Sequence, residues 1–229
     1  MAACTSTPSY PPTALSTGHR PPPQEASFSA SELLKSDIDT VAEVHLRESI
    51  ASAKLLTEKL YRRNPRELRK SGEATPEAGV ARAFDPSRAW RFAELSNARG
   101  TDALKIAFSP DFTGDRVFAF GVGLGSMISA AYDDKTQFYL TDTLDAQRLY
   151  NAARNIEIAA WKLANSRGPN GEPMLLSNEM STVANLSFER EIGKLIAYQD
   201  TLALIMAQRT NRTIRRVTQT LATAVFLPI

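Results

Sequence analysis

The sequence predicts an all-α protein: an irregular multi-helix bundle carried behind a leader that cannot fold by itself. Three observations support this. Apolar side chains recur at helical spacing over long stretches, helix-start signals return along the chain, and residues 1–28 are rich in Pro, Ser and Thr with little charge. The 229 residues, 43% hydrophobic and 23% charged, have the length and composition to build a substantial core. With 27 Lys and Arg against 25 Asp and Glu, the net charge of +2 excludes the broad phosphate-binding surface of a nucleic-acid protein.

The leader, 1–28, holds six of the 13 prolines. Proline fixes φ and removes a donor, and no apolar periodicity offsets the entropy of ordering, so this part reads as a semi-extended spacer. Residues 29–229 form the expected helical domain. Ser29 and Glu32 make a capping box ahead of Leu33, and the first long helix is expected from about Ser31 to Arg63. Its apolar arc runs through Leu34, Ile38, Val41, Ala42, Leu46, Ala53, Leu56 and Leu60. Asp39, Glu43, Arg47, Lys54 and Glu58 fall outside that arc. Asn64-Pro65, Thr75-Pro76 and Asp85-Pro86 each set an N-cap before a proline at the first helical position, which predicts short helices.

A second long helix is expected from Thr143 to Ser166, where Gly168-Pro169-Asn170-Gly171 forces a turn. Its face of Leu149, Ala152, Ala153, Ile156, Ala160 and Leu163 allows a neighbour to approach closely. The third is expected from about Asn178 to Ala224, with a break signalled near Thr210-Asn211. Met180, Ala184, Phe188, Ile192, Leu195, Leu202, Met206, Val217 and Leu221 share one side of it.

Between the first two long helices lies the least ordinary segment, Asp115 to Tyr132, with Gly121, Gly123 and Gly125. One reading is a strand, a glycine-rich turn and a helix that would hold a nucleotide or an S-adenosylmethionine-like cofactor, with Asp142 on the ribose. The other is a buried helix whose glycines admit a close neighbour. The GxGxG spacing lacks the third glycine of the dinucleotide fingerprint and no strand–helix alternation follows, so the buried helix is favoured and no cofactor is expected. The uncharged run is shorter than the roughly twenty residues that cross a bilayer.

Few residues offer chemistry. A single cysteine excludes a disulfide framework and a multi-cysteine metal site, and no metal ligand set is visible. His19 lies in the leader, and His45 falls on the apolar side of the first helix as a structural histidine. Asp111, Asp115, Asp133, Asp134, Asp142 and Asp145 lack the alternation of a calcium loop. Capping explains them better: Asp142 is read as an N-cap and Asp145 as a first-turn acid. No paired acid and base or activated nucleophile appears, so catalysis is not expected. Two basic groups are candidates for an anionic partner: Arg62, Arg63 and Arg66, with Arg69 and Lys70, and Arg209, Arg212 and Arg216, with Arg190 and Lys194 nearby.

The strongest statement concerns location. Ala2-Ala3-Cys4 followed by Thr5-Ser6-Thr7-Pro8 resembles the lipobox of bacterial lipoproteins, in which small residues precede a cysteine that is diacylated. The resemblance covers these few positions and implies a basic, then apolar, stretch upstream of Met1. It further implies lipidation at Cys4 and, since Thr5 replaces the aspartate that often marks inner-membrane retention, an outer-membrane anchor with the domain facing the periplasm. The function expected is a scaffold or interaction role at the bacterial envelope, through a protein partner or self-association. A Cys4 that matches by accident leaves a cytoplasmic helical adaptor.

Overall fold

A computed structural model describes residues 35–179, 185–217 and 219–229. Cys4 and the rest of the leader, the Ser29–Glu32 capping box, Met180 and Ala184 lie outside them. Among the described residues there are seven α-helices and no strand: α1 Asp37–Arg63, α2 Pro65–Ser71, α3 Pro76–Ala83, α4 Gly100–Ala107, α5 Arg116–Ala131, α6 Ala146–Asn165 and α7 Ser187–Thr210. The all-α expectation holds. No helix among them is long and apolar enough to cross a membrane.

α1 begins later than Ser31. The Ser36 backbone N–H and Oγ both donate to Asp39 Oδ2, at 2.8 and 2.7 Å, so the helix entry is made by Ser36. That pairing also buries Asp39, which the apolar arc leaves in solvent. The arc itself is confirmed: Ala42, Leu46, Ala53, Leu56 and Leu60 are buried. His45 donates from Nδ1 to Val41 O, 2.8 Å away, and meets Tyr198 edge-on, as a structural residue would. The Asn-Pro and Thr-Pro signals open α2 and α3, while Asp85-Pro86 opens only a 3-10 turn, Pro86–Arg88.

α5 is the central helix, and every residue from Arg116 to Ile128 is buried. Asp115 caps it, accepting from Phe118 N–H at Oδ1, 2.9 Å, and its Oδ2 accepts from the buried Tyr61 hydroxyl of α1 at 2.8 Å. The glycines are required by contact. A Cβ on Gly123 would stand 2.8 Å from the Leu104 backbone nitrogen and 3.1 Å from Gly100 O, both of α4. One on Gly121 would stand 2.9 Å from Thr57 of α1. α4 and α5 are further stitched by Gly100 N–H donating to Ser126 Oγ at 2.6 Å. The strand–turn–helix reading of Gly121 to Gly125 is therefore replaced by its alternative, and the glycines offer a ligand no loop.

The later elements depart from expectation in their boundaries. α6 begins at Ala146 because Asp145, not Asp142, is the cap, accepting from Gln147 N–H at 2.8 Å. Asp142 instead pairs with Lys135 at 2.6 Å and accepts from Tyr139 N–H at 3.0 Å. α7 begins at Ser187 rather than Asn178, because Glu179 and Asn185 form an antiparallel bridge between the two segments. It ends at Thr210, where Asn211 takes a left-handed φ of 52°. Beyond it the chain leaves the helix, so Val217 and Leu221 do not extend the face of α7. Together α1, α4, α5, α6 and α7 enclose one apolar core.

Candidate functional site

The two basic groups are resolved differently by the fold. Arg62 is held by Glu58 and Glu77 at 2.8 and 2.5 Å. Arg63 pairs with Glu179 and donates to Ser177 O at 3.2 Å, while Arg66 donates to Met174 O at 2.6 Å. Arg63 and Arg66 fasten the 173–179 segment to the end of α1 and the start of α2, where Asn64 grips Leu176 as well. Each of the three thus has partners within the molecule, although Arg62 and Arg66 keep about half of their side-chain surface in solvent. Arg209 lies 3.9 Å from Asp39. Arg212 and Arg216 do not share a helix with it, and among the described residues neither has a carboxylate partner. The acidic residues are likewise dispersed into caps and ion pairs, and no group of three among the described residues has a metal-holding arrangement.

A concavity of another kind lies elsewhere. A cleft of about 880 Å³ opens between α1, the turn after α3 and the segment after α5. Helical spacing brings Glu43, Leu46, Arg47, Ile50, Ala51 and Lys54 to one side of α1. Phe84, Asp85, Pro86, Ala89 and Trp90 form the second wall, and Asp134 to Gln137, with Arg99 and Ser129, the third. Phe84 and Trp90 meet edge to face with centroids 5.4 Å apart.

Gly125 shapes that floor. A Cβ there would stand 2.5 Å from Trp90 Cη2 and 2.7 Å from Phe84 Cε1, so the indole occupies the space the missing side chain leaves. The glycine segment thus touches the site indirectly, by seating its aromatic floor.

Backbone strain gathers at the same place. Ala89 and Trp90 are both left-handed, with φ of 47° and 62°, and on the facing wall Asp133 and Asp134 both have φ of 56°. Aspartate tolerates this conformation, whereas for Ala and Trp it costs about 1–2 kcal/mol each. The surrounding contacts must hold these two residues in place.

Most of the rim's charge is already matched. Asp134 accepts from Arg99 at 2.5 Å and from Ser129 at 2.8 Å. Burial pushes the Asp134 carboxyl up, but those hydrogen bonds and the attraction of Arg99 and Arg148 outweigh it and hold the group below its ordinary value. Lys135 is held by Asp142, and Glu43 accepts from Phe138 N–H at 2.9 Å. Arg47 pairs with its neighbour Glu48 at 3.2 Å, with both side chains largely in solvent. Lys54 differs. It has no carboxylate partner among the described residues, and its ammonium stands 5.8 Å from the Phe84 ring centroid. The cleft therefore offers an apolar, aromatic floor beside a cation, Lys54, that has no carboxylate partner among the described residues.

Nothing in the sequence reading brought these residues together. Of the α1 residues, the helical pattern puts Glu43, Arg47 and Lys54 on the solvated side and Leu46 on the apolar arc, and the Ala89–Trp90 turn carries neither glycine nor proline at its left-handed positions to announce itself. Compared with protein-family models, with curated proteins and with solved structures, the chain has no match in any of the three.

Proposed function

We propose that this protein is a membrane-tethered recognition module: a helical domain that holds a partner protein in the cleft between α1 and Trp90, anchored to the outer membrane through Cys4 and facing the periplasm. The cleft is the observation that supports recognition. Its apolar floor suits an inserted aliphatic or aromatic side chain, and Lys54 suits a carboxylate beside it. Pre-set aromatic rings in a strained turn lower the ordering cost of binding, because the floor does not have to be assembled when the partner arrives.

The anchor rests on the Ala2-Ala3-Cys4 resemblance and on the proline-rich spacer behind it. Expressed in its host with its native upstream codons, the protein is expected to fractionate with membranes and take up labelled palmitate, and Cys4→Ser to abolish both. A soluble, unlabelled product with Cys4 intact removes the anchor and leaves a cytoplasmic adaptor. Recognition is tested independently by a photo-crosslinking residue at Ala51, inside the cleft. The expected adduct with a partner protein is lost on Trp90→Ala and weakened on Lys54→Ala.

A further inference from the structure

Residues 212–217 and 219–229 follow α7 beyond Asn211 and lie against α6, with a turn at 221–223, and their backbone is gripped by side-chain amides at Arg215 and at Leu227–Pro228. Gln147 donates from Nε2 to Arg215 O at 3.0 Å and accepts from Arg215 N–H at 2.7 Å. Asn155 donates from Nδ2 to Leu227 O at 2.9 Å and accepts from Leu227 N–H at 2.6 Å. Between them Asn151 donates to Pro228 O at 2.8 Å. The three amides are four residues apart on α6 and so form one row along one face. Each bidentate pair replaces the two hydrogen bonds a neighbouring strand would give, and reads backbone rather than side chain.

The segment held in this way is incompletely packed. A cavity of about 220 Å³ remains between it and α6, bounded by Ile158, Val217, Leu221, Ala224 and Leu227 among others. Val217, Leu221 and Val225 remain 38%, 40% and 69% exposed. Among the described residues of the segment only Ala224 is buried, with Ile214, Phe226 and Ile229 packed partly buried against the core. Firm backbone hydrogen bonds, poor side-chain packing and a single left-handed residue at the exit together describe a bound peptide on a hinge.

We propose that the amide row on α6 is a peptide groove, and that it accepts residues 212–229 of a second copy of this chain in exchange for its own. The occupant is specified by the structure itself, since this segment already fits the row in cis. Exchange between identical chains replaces every contact and changes only the path from Asn211. A partner's arm also supplies surface against which Val217, Leu221 and Val225 can be covered.

Two measurements on the full chain test this. A fluorescent synthetic peptide of residues 212–229 is expected to bind saturably by displacing the segment held in cis, and the same peptide N-methylated at Leu227, which cannot donate to Asn155, to bind about tenfold or more weakly, which corresponds to roughly 1.4 kcal/mol. Two populations of the chain, one carrying a donor dye near its C-terminal end and the other an acceptor on α6, are expected to develop energy transfer on mixing at high concentration. Excess unlabelled peptide should abolish that transfer. Peptide binding indifferent to the N-methyl group, or no binding near millimolar peptide, overturns the groove. Absence of energy transfer after prolonged mixing overturns the exchange. Circular dichroism of each labelled chain separates these outcomes from loss of fold.

Discussion

α5 and the 212–229 segment are both largely apolar and both lie against helices, yet they are held in opposite ways. α5 is fixed by shape: its glycines let the α4 backbone approach until no Cβ fits, and all its residues from Arg116 to Ile128 are out of solvent. The 212–229 segment is fixed by amides that grip its backbone, while its apolar side chains stay partly wet. Packing by shape specifies one arrangement and tolerates almost no substitution. Gripping by amides reads the backbone and leaves the side chains free to vary.

The comparison breaks most readily at Gly123. Gly123→Ala sets a methyl against the Leu104 nitrogen, an atom that cannot move without shifting α4, and should cost about 3 kcal/mol, the upper range for overpacking. Urea unfolding measures this, and a cost below about 0.5 kcal/mol would show that α4 and α5 are not locked by contact. Asp115→Ala is next. It strips the cap of α5 and leaves the buried Tyr61 hydroxyl without its acceptor, for about 2–3 kcal/mol.

The Asp115 carboxyl also gives α5 a pH dependence. Burial raises it above its ordinary 3.8, overriding the hydrogen bonds from Phe118 and Tyr61. A raised folded-state value means the folded protein holds the proton more tightly than the unfolded chain does. Its stabilisation is full below the unfolded value and is lost as pH rises through the folded one. The stability difference between wild type and Asp115→Asn should therefore move against the wild type as pH rises above the ordinary 3.8. A difference moving the other way would mean the hydrogen bonds outweigh burial.

At the amide-held segment the effects are smaller and local. Asn155→Ala leaves the Leu227 N–H and C=O unpaired, and should cost about 1–2 kcal/mol. Hydrogen exchange should quicken at Leu227 and Arg215 with the α5 amides unchanged; equal quickening in α5 would make the segment part of the core. The smallest change is a gain. Ala89→Gly removes the penalty of a left-handed alanine and should stabilise by about 0.5–1 kcal/mol. No gain would mean the turn is unstrained.

The fold was legible where the cause was local. Apolar spacing in α1 and α6 and the proline-preceded starts of α2 and α3 require only a few residues to recognise, as does Asn211 at the end of α7. Its continuation to Ala224 misled because Val217 and Leu221 keep the helical register; the competing attraction is the amide row on α6, more than fifty residues distant in sequence. α4 went unread because eight residues with Ala103, Leu104 and Ala107 give too short a pattern to separate from a loop. The cleft was not legible at all. Its walls come from three distant segments, and its floor depends on Gly125 making room for Trp90, a contact no spacing encodes.

The claim that the cleft is the recognition face is tested most directly by comparing photo-crosslinks in living cells from Ala51, inside it, and from Arg190, exposed on α7. A discrete adduct from Ala51, absent from Arg190 and lost on Trp90→Ala in a protein that retains its helical circular dichroism, is the predicted result. Adducts of equal yield from both positions, or one from Ala51 that survives Trp90→Ala, would contradict it.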